Sequence, residues 1–247
     1  MHRPLIMIGF LILCLALDHQ QANAQTGRVN QPAVSLGRLH GTWFNARFIE
    51  ELNGSRSLSG AMSKVGPGDP LWVRIDTVST ESYALVGFGV NRADTLPMAK
   101  KIIMGAGQKW VIGNSEQPLW MVADDEIARS YIALTSLDSL DAKPLVMGAL
   151  PSKNPDPLFI LRRMVNNSML VGRWKRSDGK EVRFSNDQVM TVEAESVRYS
   201  MSFERDGTQA RISTIDGQPL TWTVERAGRK LTLRPSKGAS QVLTLVP

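Results

Sequence analysis

Few residues in this chain have the types and spacing that chemistry needs. Ser177-Asp-Gly-Lys180 has the serine-x-x-lysine spacing of a nucleophile beside its base. Its Asp-Gly centre, however, marks a hairpin turn and not the buried helix start that such a pair requires. His40 could act as a general base, but it adjoins Gly41, where a surface or capping role is the ordinary one. Asp124-Asp125-Glu126 offers three carboxylates; a loop after a strand is the simpler reading, and a weak cation site is a distant second. Gly87-Phe-Gly89 and Gly105-Ala-Gly107 do not continue as dinucleotide loops, and no Gly-x-Ser-x-Gly elbow occurs. The expectation is a protein that is not an enzyme, with no cofactor and no metal.

Aromatic residues are the stronger candidates for binding. Trp72 alternates with Arg74 and Asp76, opposite Val73 and Ile75, so it leaves the more polar face of its strand. A tryptophan there is either wrapped by a loop or part of a binding surface. Tyr83, Phe88, Trp110, Trp120 and Tyr131 have core positions as their default, but a ligand-holding calyx would use the same residues. These six form the candidate ligand-binding set.

The ends bound where the protein works. His2 and Arg3, the apolar run Leu5–Leu17 and the small-x-small triplet Ala22-Asn23-Ala24 have the order of a secretory leader cut after Ala24. The apolar run is shorter than the roughly 20 residues that a spanning helix needs, and no later segment is long and apolar enough. A periplasmic or secreted product is expected, with 25–37 as an N-terminal extension. Cys14, the only cysteine, leaves with the leader, so disulfides, thiolate chemistry and cysteine-bound metals are excluded from the mature chain. His40 is then the sole histidine, which removes multi-histidine sites. The mature chain keeps 28 basic and 22 acidic residues. Its arginines are spread singly along strands, as on a solvated sheet face. Anionic envelope surfaces come next as an explanation, and no nucleic-acid partner is expected.

The elements that must position these residues are mostly strands. In the second half, Val197, Tyr199, Met201 and Phe203 alternate with Arg198, Ser200 and Ser202, and Leu220, Trp222 and Val224 alternate with Thr221, Thr223 and Glu225. Period two with Asp178-Gly179, Asp206-Gly207, Asp216-Gly217 and Ala227-Gly228 between runs predicts seven or eight short strands joined up-and-down. A sheet this short closes into a barrel filled by its own side chains. The first half is longer. Asn45–Lys64 has near-helical apolar spacing broken at Asn53-Gly54, which predicts two short helices, serving as a lid over the barrel mouth or as plain packing over an apolar end. Strands are predicted at 71–78, 82–91, 100–105, 108–113, 118–123, 129–135 and 157–164, with 137–157 as a long crossover.

Leu39-His-Gly41-Thr-Trp43 and Leu170-Val-Gly172-Arg-Trp174 repeat one signature, and each is followed much later by an apolar run ending in arginine, Phe159–Arg162 and Leu231–Arg234. This pairing resembles the lipocalin-like (calycin) signature of bacterial exported proteins, although the Thr-Asp-Tyr turn of true lipocalins is absent. The resemblance implies a mainly all-β chain of two tandem antiparallel up-and-down barrels, 38–167 and 168–247. It also implies barrel-closing pairs in which an arginine lies over an indole: Trp43 with Arg162 or Arg163, and Trp174 with Arg234. Transport of a small apolar ligand in the first barrel is the function it implies. The alternative is an envelope protein–protein interaction or assembly module with filled barrels.

Overall fold

The computed structural model describes residues 36–76, 83–103, 107–114, 118–124, 131–138, 143–150, 154, 156–204, 207–216 and 219–247. The leader expected at 1–24 lies outside them. The chain is mainly β and forms two closed eight-stranded antiparallel barrels in tandem. The first runs β1 (Gly41–Asn45), β2 (Trp72–Asp76), β3 (Tyr83–Gly87), β4 (Ala93–Ile103), β5 (Gly107–Gly113), β6 (Pro118–Asp124), β7 (Tyr131–Ser136) and β8 (Leu145–Ala149). The second runs β9 (Gly172–Arg176), β10 (Glu181–Phe184), β11 (Val189–Val192), β12 (Glu195–Phe203), β13 (Ala210–Thr214), β14 (Thr221–Ala227), β15 (Lys230–Pro235) and β16 (Gln241–Leu245). In each barrel the last strand pairs with the first, so no strand edge remains.

Short helices sit where the barrels need closing. Helix α1 (Leu36–Leu39) leads into β1, and α2 (Ala46–Ser55) and α3 (Leu58–Met62) follow it. Asn45 caps α2 by accepting from the Arg47 and Phe48 amides, and the Ser57 hydroxyl accepts from Gly60 N–H at α3. Buried Phe48, Ile49 and Leu52 lie on one face of α2.

These helices do not cross the mouth of the first barrel. Their apolar faces join Phe44 and Trp72, which point outward from β1 and β2, in one core continuous with the interior of the second barrel. Val90 contacts Gly207, the Asn91 side chain donates to Glu204 O at 2.7 Å, and Ser168 Oγ donates to Asn53 Oδ1 at 3.0 Å. The base of the second barrel is thus seated on α2 and the β3–β4 turn. Strand β3, apolar on both faces, is covered from outside through Leu85 by this same core.

One strand expectation fails. Residues 157–164, predicted as the closing strand, form α4 (Pro157–Val165), continued by a π-helical turn at Asn166–Leu170. The Asp156 carboxylate accepts from Leu158 N–H and Pro157 occupies the first turn, a strong helix start. Pro157, Ile160, Leu161 and Val165 are buried at helical spacing. The true closing strand, β8, lies inside the stretch expected as a crossover.

Trp72 lies directly over Gly87, its cross-strand partner, and a Cβ there would overlap the indole. Gly89, two residues on, faces open space. Gly87→Ala is expected to lower stability by about 1–3 kcal/mol in urea unfolding through overpacking, while Gly89→Ala stays close to wild type.

Candidate functional site

The clearest geometry is the plug that closes each barrel. Gly41 and Gly172 have φ of 138° and 147°, which turns the chain sharply from a helical turn into the first strand. The tryptophan two residues later points inward. Trp43 Nε1 donates to Leu39 O at 2.9 Å, and Trp174 Nε1 donates to Leu170 O at 2.7 Å. In each barrel the indole therefore satisfies a carbonyl left open at a helix end, while its ring fills the barrel floor.

The arginine over the second plug is not the expected one. Arg226 of β14 places Cζ 4.8 Å from the centre of the Trp174 ring. It is 2 % exposed and donates to Ser168 O, Met169 O and Gly228 O, each at 3.0 Å. Burial, with Arg56 close by, lowers its pKa to about 10, which leaves it charged at neutral pH. The carbonyls of the π-helical turn and the indole face hold that charge. Arg234 points the other way: Leu231 and Leu233 face the core, so their neighbour on β15 faces solvent and pairs with Glu225 at 2.6 Å.

At the first plug, Arg162 and Arg163 lie exposed in the last turn of α4, which buries Ile160, Leu161 and Val165. Among the described residues no guanidinium is stacked on Trp43.

A second buried polar pair braces the same base. Tyr199 donates to Asn166 Oδ1, and Asn166 Nδ2 donates to Ser185 O at 3.3 Å. Asn166 is fully buried, and burial raises the Tyr199 pKa, keeping the phenol protonated as a donor. Arg226 is one of the strand arginines expected on a solvated sheet face, and the structure buries it instead, while Asn166 was not singled out at all. Arg226 was traceable, because it stands in phase with inward Trp222 and Val224; Asn166 gave no such signal.

The six aromatic candidates do not form one site. Phe88, Trp110 and Trp120 belong to the first barrel's interior. Phe88 and Trp120 meet near the mouth with ring centres 5.7 Å apart, and Arg92 lies 5.5 Å over Phe88. Trp110 lies lower, with Lys100 Nζ 5.3 Å from its ring. Trp72, Tyr83 and Tyr131 point outward, on the opposite parity to Val73, Ala84 and Ile132. Trp72 is buried in the shared core, and its Nε1 has no hydrogen-bond partner. Tyr131 packs beside Gly148, near Ile49 of α2.

The described part of the first barrel turns a set of buried side chains inward. Thirteen described residues are buried there, including Trp43, Met98, Ile112, Trp120, Ile132 and Met147, and Trp120 is only 9 % exposed. An open surface hollow of about 350 Å³ lies between Arg47, Glu50, Glu51, Gly54 and Lys64, outside both barrels. Ser177 and Lys180 lie exposed on the β9–β10 turn, with Lys180 paired to Glu193 at 2.9 Å. His40 is exposed between α1 and β1. Asp125 and Glu126 lie outside the described residues.

The fold and its plugs define a class: a tandem of two closed eight-stranded antiparallel barrels, each closed at one end by a tryptophan. Beyond that class, no family model matches the chain, and neither the curated proteins nor the solved structures hold a significantly similar match.

Removing the Arg226 guanidinium tests the plug assignment. Arg226→Met leaves three carbonyls and the indole face without their donor, and is expected to cost about 2–4 kcal/mol in chemical denaturation. Arg234→Ala is expected to leave the unfolding midpoint almost unchanged. The reverse ranking would return Arg234 to the plug.

Proposed function

We propose that this is an exported, non-enzymatic interaction protein of lipocalin-like architecture, acting in the cell envelope through its outer surfaces. The observation that carries the reading is the packed interior of the first barrel. A carrier for a drug-sized ligand needs a cavity of at least roughly 300 Å³. Opening one here means displacing residues such as Trp120, at about 3–5 kcal/mol for the loss of a buried aromatic. The leader-like start, with cleavage after Ala24, supports a periplasmic or secreted location. The paired Gly-x-Trp starts, each with its indole tucked under a helix end, support the lipocalin-like reading. An arginine from β14, two strands before the last, is a departure from it.

Large apolar side chains left in solvent supply candidate contact points. Ile215 and Leu220 flank the β13–β14 turn, which is held by Thr214 N–H on Leu220 O at 2.9 Å. That turn lies at the rim of the second barrel farthest from the first, since the opposite rim is seated on α2. We place the protein contact there.

A second reading has one observation behind it. Phe88 is half-buried beside Trp120 at the mouth of the first barrel, under a guanidinium, and a small apolar ligand could lie against that pair.

Titration of intrinsic tryptophan fluorescence with fatty acids and other apolar molecules separates the two. The interaction reading expects no saturable change with the wild-type chain, and a gain of binding once Trp120→Ala opens a cavity. Saturable quenching of the wild type would replace it with the carrier reading. Site-specific photo-crosslinkers at Ile215 and Leu220 are expected to form a discrete adduct in cells, and those at Lys64, in the polar hollow, are not.

A further inference from the structure

We propose that the outer wall of the second barrel along β15, β16, β9 and β10 is a docking surface for a linear anionic polysaccharide. These four strands are neighbours in the closed order, and every residue of their ladders is described. Trp174, Val182, Leu231 and Leu243 are buried inward. By parity Arg173, Lys175, Glu181, Arg183, Lys230 and Thr244 then stand outward, and each is exposed.

The register gathers their charges. Arg183 stands directly opposite Arg173, and Lys230, Thr244, Lys175 and Glu181 form one row across the four strands. The cations of this wall share the Glu181 carboxylate, which Arg173 already holds with two hydrogen bonds of 2.8 Å. Those bonds, and more weakly the Arg183 charge, hold the Glu181 carboxyl below its ordinary range. Lys175, Arg183 and Lys230 form no ion pair among the described residues. By contrast, Arg198 has its own carboxylate in Asp216, Arg211 in Glu204 and Arg234 in Glu225. Like charges directly opposite on a sheet destabilise it. A bound polyanion accounts for a wall that keeps them there.

Shape and composition choose among anions. The four strands make up half of an eight-stranded wall, so the cations fan around a convex surface. Lys230 and Lys175 stand two strands, or about 10 Å, apart, with Thr244 between them. A flat bilayer meets only the crest of such a wall. The exposed apolar residue described there, Val242, stands off in the next row, opposite Thr232. A folded protein partner needs a buried aromatic or arginine anchor at its centre, and valine is seldom a hot spot. A flexible sugar chain bends around the curve, sets carboxylates on guanidinium and ammonium groups, and offers hydroxyls to Thr244.

This inference is independent of the contact placed at Ile215 and Leu220. Its test uses the chain from Gln25 onward and the fluorescence anisotropy of a labelled oligogalacturonate. Saturable binding that weakens as salt rises is expected, with no competition by neutral dextran. Replacing Lys175, Arg183 and Lys230 together by Gln should weaken it about tenfold. The control replaces Arg47, Lys64 and Lys237, exposed elsewhere, by Gln, changes net charge equally and should bind like wild type. Arg183→Gln alone removes a like charge from beside Arg173. It should leave the unfolding midpoint unchanged or raised while weakening binding about threefold, so a folding defect cannot imitate the result. The proposal is overturned by absent binding, by equal losses in the two triple variants, or by an unaffected Arg183→Gln. Tighter binding to poly-glutamate or to phosphatidylglycerol vesicles than to the sugar acid overturns it as well. None of those outcomes bears on the crosslinks at the far rim.

Discussion

Both barrels depend on one arrangement: an indole N–H given to a carbonyl four residues upstream, across a glycine at a positive φ that a side chain would disfavour. The spacing Leu-x-Gly-x-Trp supplies every part of it. The leucine ends a helical turn and leaves its carbonyl open, the glycine reverses the chain, and the tryptophan returns to cover that carbonyl from below. Burying an open carbonyl without a partner costs free energy comparable to a lost hydrogen bond, so the indole does two jobs with one side chain. It closes the floor and satisfies the helix end that forms it.

The two plugs are then braced unequally. The second stands under Arg226, whose three carbonyl partners tie β14 to the π-helical turn between the barrels. Among the described residues no carboxylate lies beside this buried guanidinium, and carbonyl dipoles with an aromatic face hold its charge. The same turn carries Asn166, which holds the Tyr199 phenol, and Ser168, which reaches Asn53 of α2. One short helical link thus braces the second barrel's floor and docks it to the first. That explains why the helices after β1 share a core with the second barrel and do not form a lid on the first.

The fold was readable wherever period two was strict. In the second barrel the alternation of Val197–Phe203 and of Leu220–Val224, with glycine turns between runs, left little but an up-and-down sheet. The first barrel was harder because β3 and β6 are apolar on both faces, and a strand covered on both sides loses its alternation. The 157–164 segment misled for a related reason. Phe159-Ile-Leu looks like a strand by composition, and only Asp156-Pro157 announced the helix start. The arginine error had a different source. The resemblance supplied a partner for Trp174 by motif position, whereas parity alone assigns Arg234 outward and Arg226 inward. Residues whose role depends on tertiary contact, such as Asn166 on Tyr199 or Trp72 over Gly87, left no pattern to read.

A closed barrel limits how a protein can bind anything. With first and last strands paired, no backbone edge is free to add a partner's strand, which removes the commonest route of peptide capture by sheets. A ligand that reached the described core of the first barrel would have to displace buried side chains such as Met98 and Trp120. Rims and turns are the parts of a barrel whose sequence can vary without disturbing the plugs. In this chain those parts differ in character. The β13–β14 rim is apolar with Ile215 and Leu220, whereas the opposite rim of the second barrel is consumed by its contact with the first.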